Sequence, residues 1–147
     1  MKEQPIKNFF VAGPISPQKI AESIAGHSTK KNIGAHSIFL GQVRADENKE
    51  GTVQAIEYTT YQAMALEQMH QIREALFKKY TLTCMHVYHS IGLVKAGEIC
   101  LFVFVSSVHR KDAIAACEEM VEAIKFKLPI WGKEILDNQK TVWKENH

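Results

Sequence analysis

Two stretches of the chain carry side chains able to hold an anion and to move a proton near neutral pH. The first is Ser106-Ser107-Val108-His109-Arg110, a polar break between an apolar run and a helical pattern. A helix starting there aims free backbone N–H groups and the positive end of its dipole outwards, which favours an anion. Arg110 adds a planar, bidentate donor suited to phosphate or carboxylate, and His109 can donate hydrogen bonds or exchange a proton. An exposed helix cap with a surface arginine accounts for the pentapeptide equally well. The second is Lys125: at 100° per residue it falls beside its helix's apolar stripe, between Val121 and Leu128, and so at the edge of the buried face. Beside Arg110 and other cations its pKa would fall, favouring an amine nucleophile or an acid/base group. On spacing alone, a snorkelling lysine paired with Glu122 one turn earlier is the simpler account.

Arg44 ends an apolar stretch in which Gly41 lets another segment or a ligand approach the backbone, although a solvated strand-end arginine is the ordinary case. Lys127, Lys133 and Lys140 make the C-terminal stretch locally basic, with Glu134 and Asp137 interrupting it; most of these belong on the surface. His86 and His89 stand three apart on a strand, hence on opposite faces, so they share no ligand and are assigned structural roles. Cys84, Cys100 and Cys117 are odd in number and lack C-x-x-C spacing, so neither a disulfide nor a metal site is expected. No Gly-rich phosphate loop is present.

These residues need a frame. Ser16 followed by Pro17 reads as an N-cap and first helical residue, opening a short helix with Ile20, Ile24 and Ala25 on one side. Residues 30–32 are loop, and 34–44 a strand built on Ile38-Phe39-Leu40 and Val43. The polar break 46–51 leads to a second strand over 53–60, the two forming a hairpin. Leu66, Met69, Ile72, Leu76, Phe77 and Tyr80 give the clearest helix, over 62–80. A strand over 82–89, a loop over 92–97 and a strand over 99–105 follow. The last is apolar without alternation, and so buried on both faces. A second helix over 112–128 stripes Ile114, Cys117, Val121, Ile124 and Leu128, and Pro129 ends it. The tail over 131–143, with a turn at Asp137-Asn138, folds back as a hairpin or docks on a neighbour. Phe39, Phe102 and Phe104 read as core, Trp131 and Trp143 as core or interface anchors.

With 147 residues, 46% hydrophobic and 23% charged, the composition suits one globular α/β (α+β) domain over 1–147: an N-terminal strand/helix segment at 1–33, a core at 34–128 and a tail at 129–147. A net charge of +2, with no dense basic run, argues against a nucleic-acid partner. The charged start Met1-Lys2-Glu3-Gln4-Pro5 lacks a signal-peptide apolar region and no stretch is long enough to span a bilayer, so a cytoplasmic location is expected.

In order along the chain, Gly41-Gln42-Val43-Arg44, His89-Ser90-Ile91-Gly92 with Gly97-Glu98, Ser106-Ser107-Val108-His109-Arg110-Lys111, and Lys125 through Pro129-Ile130-Trp131-Gly132-Lys133-Glu134 resemble the large, catalytic subunit of molybdopterin synthase. The match spans roughly residues 34–143. The resemblance implies an α/β hammerhead fold with a basic site at strand/helix junctions, and a homodimer with a small ubiquitin-like sulfur-carrier subunit at each end, together a heterotetramer. It implies a sulfurtransferase: the carrier's thiocarboxylated Gly-Gly tail gives sulfur to cyclic pyranopterin monophosphate (precursor Z), and two transfers build the dithiolene of molybdopterin. No cofactor or metal is implied, and sulfur arriving on a partner removes the need for a reactive cysteine in this chain. Gln42, Val43, Arg44, His109, Arg110, Lys125, Gly132, Lys133 and Glu134 fall at the substrate site, with Lys125 and Lys133 catalytic. Arg44 is a candidate to serve the neighbouring protomer's site.

Two departures stand out. The family places a lysine directly after the tryptophan of its P-x-W motif, where this chain has Gly132 and then Lys133; either Lys133 reaches the site through a backbone shift, or the cation is absent. Gln42 stands where a basic residue is common. The competing readings are a non-catalytic scaffold that binds a phosphorylated metabolite with the same cluster, and an RNA binder using Lys and Trp residues. Loss of turnover in Lys125→Ala discriminates against the first, and a steep salt dependence of oligonucleotide affinity would favour the second.

Overall fold

The structure, a computed structural model, describes residues 7–146; the charged start at 1–5 lies outside them. The elements are β1 (Phe10–Ala12), α1 (Pro17–Gly26), β2 (Ala35–Gln42), β3 (Glu47–Asn48), β4 (Gly51–Thr60), α2 (Gln62–Lys79), β5 (Cys84–Lys95), β6 (Ile99–Ser107), α3 (Arg110–Lys127), β7 (Ile130–Leu136) and β8 (Thr141–Trp143). They form a mixed α/β architecture around one largely antiparallel sheet, ordered β2-β6-β5-β4-β7-β8, with β1 parallel to β5 and β3 on β4.

β6 is the spine. Its non-alternating apolar run is buried on both faces because two layers cover it. Leu101, Val103 and Val105 join the main core under α2 and α3. Phe102 and Phe104 meet Ile15 and Ile20 under α1. α1 begins as expected: Ser16 Oγ accepts the Lys19 N–H at 3.1 Å and Pro17 follows.

Four expectations change. β2 and β4 are not a hairpin; β2 pairs with β6, and β4 lies between β5 and β7, because the doubly buried β6 needs partners on both edges. The presumed loop at 92–97 is mostly strand, since β5 runs on to Lys95 and pairs with β4 there; the turn is confined to 96–98, with Gly97 at φ 91°. The helix expected from 112 begins at Arg110. Its inner face is Ala113, Ala116, Cys117, Met120, Val121 and Ile124, while Ile114 is exposed: small alanines let α3 lie close against β2 and β6. The tail does fold back, as the β7–β8 hairpin, and Trp131 and Trp143 stand exposed, so of the two roles expected for them only the core one falls.

Candidate active site

The sequence candidates separate into two groups at the two ends of α3. Arg110 is its first residue and Lys125 lies in its last turn. Fifteen residues at ~1.5 Å each put them about 22 Å apart along one straight helix. Within one chain, His109 and Arg110 therefore do not meet Lys125.

At the C-terminal end of α3 a cleft of about 380 Å³ is lined by Gln42, Val43, Arg44, Lys125, Glu134 and Lys144, among others. A narrower recess of about 90 Å³ beside it shares Tyr58 and Lys125 with the cleft and adds His89, Trp131 and Gly132. Backbone bonds fix the Arg44 side of the cleft. Val43 donates to Glu98 O at 3.0 Å and Gly97 donates to Val43 O at 2.8 Å, so the tight turn between β5 and β6 holds the chain just before Arg44. The register shift between Gly41 and Gln42 carries the strand into that position. Arg44 itself is exposed and bonds Asp46 Oδ2 through Nη2 at 3.1 Å, a solvent-facing pair that an incoming anion can replace.

Lys125 makes no ion pair among the described residues, so the snorkelling pair with Glu122 is not formed. Burial, then the Lys144 ammonium, hold its own ammonium below the ordinary lysine range; Arg44 adds to this, while Cys100 and Glu122 oppose it. Beneath it His89 is buried, its Nδ1–H donating to Ser90 O at 2.8 Å and its ring edge-on to Tyr58 at 5.1 Å. Burial first, with Lys125 adding to it, lowers His89 to about 4, so it stays neutral. Burial, with Cys100 nearby, pushes the Tyr58 phenol up.

Lys133 does not reach this cleft. Alternation along β7 turns Gly132 and Glu134 to it and Lys133 away, where its Nζ sits 5.3 Å over the Trp143 ring. The cation the sequence reading missed is Lys144. The β7–β8 register pairs Lys133 with Trp143, and Lys144 donates to Gly132 O at 2.8 Å, so Lys144 arrives opposite Gly132. A Cβ at 132 would lie 3.6 Å from Lys144 Cβ and only 2.9 Å from Ile56 Cγ2, so the bare glycine and the incoming lysine fit together. The signal was in the sequence: a hairpin about Asn138 places 132 against 144.

At the other end, His109 is the α3 N-cap without a side-chain cap bond, and its N–H reaches Ser107 Oγ at 3.3 Å. His109, Arg110 and Lys111 line an open surface depression with Gly34, whose missing side chain lets it lie against the Val108 carbonyl. This is an exposed cationic rim rather than an enclosed site.

Comparison with known proteins points to one family. The model of the MoaE protein family matches residues 10–127. The chain is 36% identical over 118 residues to the molybdopterin synthase catalytic subunit of Pyrococcus abyssi, covering 80% of this chain and 78% of that one. It superposes on molybdopterin synthase from Staphylococcus aureus with a TM-score of 0.81 at 31% identity, over 97% of this chain and 100% of that one. It shares its fold with a chain from the complex of subunits 1 and 2 of the molybdopterin-converting factor of Helicobacter pylori, with a TM-score of 0.78 at 21% identity, over 92% and 88% of the two chains. The chain belongs to the MoaE protein family.

Proposed function

We propose that the cleft around Lys125 is where sulfur is transferred from the thiocarboxylated tail of a small carrier subunit to cyclic pyranopterin monophosphate. Family membership makes the chain a molybdopterin synthase catalytic subunit, a sulfurtransferase of molybdenum cofactor biosynthesis. The observation that carries the site assignment is a part-buried lysine with no salt bridge among the described residues, flanked by Lys144 and Arg44 in one cleft. A cyclic phosphate and a thiocarboxylate are both anions, and fixed cationic donors hold them with little reorganisation. Lys125 polarises the thiocarboxylate carbonyl and exchanges protons during sulfur attack, Lys144 and Arg44 hold the anions, and Gln42, Val43 and Glu134 shape the wall. Gly132 supplies the gap. Lys133 lies outside this assignment.

Leu40 and Phe126 line the cleft, Trp131 lines the recess beside it, and all three are exposed, an apolar rim suited to an extended carrier tail. That the Helicobacter pylori relative is a complex of two subunits supports a carrier partner here. His109 and Arg110 join the site from a second copy of the chain, in a homodimer within a heterotetramer. Arg44 then serves the same protomer as Lys125, because both line one cleft. No helix of the described residues is long and apolar enough to cross a membrane.

The test is dithiolene formation from purified chain, thiocarboxylated carrier and cyclic pyranopterin monophosphate. Native chain should form product, and Lys125→Ala should lower the rate by at least ~100-fold while carrier binding persists. Equal rates would reject the assignment. No product from native chain with a competent, bound carrier would favour the scaffold reading.

A further inference from the structure

No metal is expected from the sequence because the three cysteines lack C-x-x-C spacing and because His86 is weighed only against His89 on the same strand, which faces the other way. The third dimension adds a partner from elsewhere. His27, the C-cap of α1, comes down on the face of β5 that carries Cys84 and His86, two residues apart and so side by side. One ligand atom from each of His27, Cys84 and His86 lies within 4.8 Å of the other two. We propose that these three residues form a binding site for one zinc-class divalent cation, on the sheet face opposite His89 and Lys125.

The orientation of His27 carries the argument. Its Nδ1 is 2.7 Å from the Ser23 carbonyl, which only accepts, so Nδ1 bears the proton and Nε2 presents a bare lone pair. That lone pair points at His86 Nε2, 3.0 Å away. A metal-binding histidine is set in this way, its second nitrogen tied to a backbone carbonyl so that the first is held ready. Zinc–nitrogen and zinc–sulfur bonds of about 2.0–2.3 Å place tetrahedral donors ~3.3–3.7 Å apart. The three ligand atoms lie within 4.8 Å of one another and the two Nε2 atoms 3.0 Å apart, which brackets that spacing.

The surroundings agree. Lys30 Nζ lies 2.9 Å from Cys84 Sγ, a donor that can keep its N–H···S bond once the sulfur is coordinated. Phe104 packs against the His27 ring at 4.7 Å and gives the site a dry floor. His27 and Cys84 are buried, and His86 lines an open pocket of about 280 Å³ through which an ion can arrive. One thiolate and two imidazoles select a borderline-soft cation such as Zn(II) over Mg(II) or Ca(II), with water in the fourth position. On binding, the Cys84 thiol proton passes to solvent and the Nε2 proton of His86 moves to its Nδ1 or to solvent. The ion would pin the end of α1 to β5.

The experiment titrates metal-free full-length chain with Co(II), and then displaces the cobalt with Zn(II). One equivalent should bind with a thiolate-to-cobalt charge-transfer band, and zinc should raise the Tm. Cys84→Ala should lose the band, His27→Ala and His86→Ala should each weaken binding at least 10-fold, and Cys117→Ser should behave as the native chain. Circular dichroism checks that each variant is folded. The proposal fails if native chain gives no band and no zinc-dependent Tm shift, or if the band survives in Cys84→Ala.

Discussion

The placement that makes Lys125 useful also works against the fold. Burial, Lys144 and Arg44 depress its folded pKa below the ~10.4 of the unfolded chain, so between those two values the unfolded chain binds more protons. Stability from this group therefore rises with pH through that window, and below it the charged lysine is a constant cost. Lys125→Met keeps the length of the side chain and removes the charge. Its Tm should equal or exceed the native value, by ~2–4 °C for each kcal/mol relieved, while dithiolene formation falls at least ~100-fold. A Tm several degrees lower would show that the lysine is held by favourable partners instead. Lys144→Ala removes the main cation acting on Lys125 and lets its pKa climb, so the alkaline limb of the rate–pH profile should move to higher pH. An unmoved limb would separate the two lysines. Helical spacing placed Lys125 at the edge of the buried stripe but on its own favoured a snorkelling lysine paired with Glu122; the resemblance singled it out. Lys144 was not legible, because it becomes visible only once the hairpin register is worked out.

At the scale of elements, β7 decides which cation the site uses. Gly132 faces Ile56 and Tyr58 of β4, and a Cβ there would approach Ile56 Cγ2 to 2.9 Å. Gly132→Lys, which restores the family's usual residue, should therefore cost ~1–3 kcal/mol by overpacking, a fall of several degrees in Tm. It should not rescue Lys144→Ala, because the clash with β4 remains when Lys144 is shortened. Thermal melts of the single and double variants, with dithiolene assays, read this directly; full rescue would mean that β4 yields easily. Element types were largely legible, since α2, α3 and the doubly buried β6 announce themselves by period. Pairing was not. Chain neighbours β2 and β4 look like a hairpin, yet β6 offers two edges of main-chain donors and acceptors that must be filled, and it takes β2 and β5. The exposed Ile114 shows a related limit, because a stripe drawn through large residues misses alanines chosen for close approach.

At the scale of the whole molecule, the length of α3 is the reason the proposed site calls for a second copy. The family resemblance gathers His109, Arg110, Arg44 and Lys125 into one substrate site, but one helix separates the Arg110 and Lys125 backbones by about 22 Å along its axis, too far for the two extended side chains to meet. A two-fold dimer that brings one protomer's α3 start to the other's α3 end resolves this, and makes two equivalent composite sites. Mixing Arg110→Ala and Lys125→Ala chains then gives hetero-pairs in which one site has both native residues and the other has neither. With random pairing, half the dimers are mixed and half their sites work, so activity should return to about a quarter of native from two nearly inactive parents. Arg44→Ala mixed with Lys125→Ala should recover nothing beyond the parents, because those residues share a cleft within one chain and every site lacks one of them. Dithiolene assays after subunit exchange distinguish the cases. Recovery in the second mixture but not the first would place Arg44, rather than Arg110, across the interface and overturn this assembly.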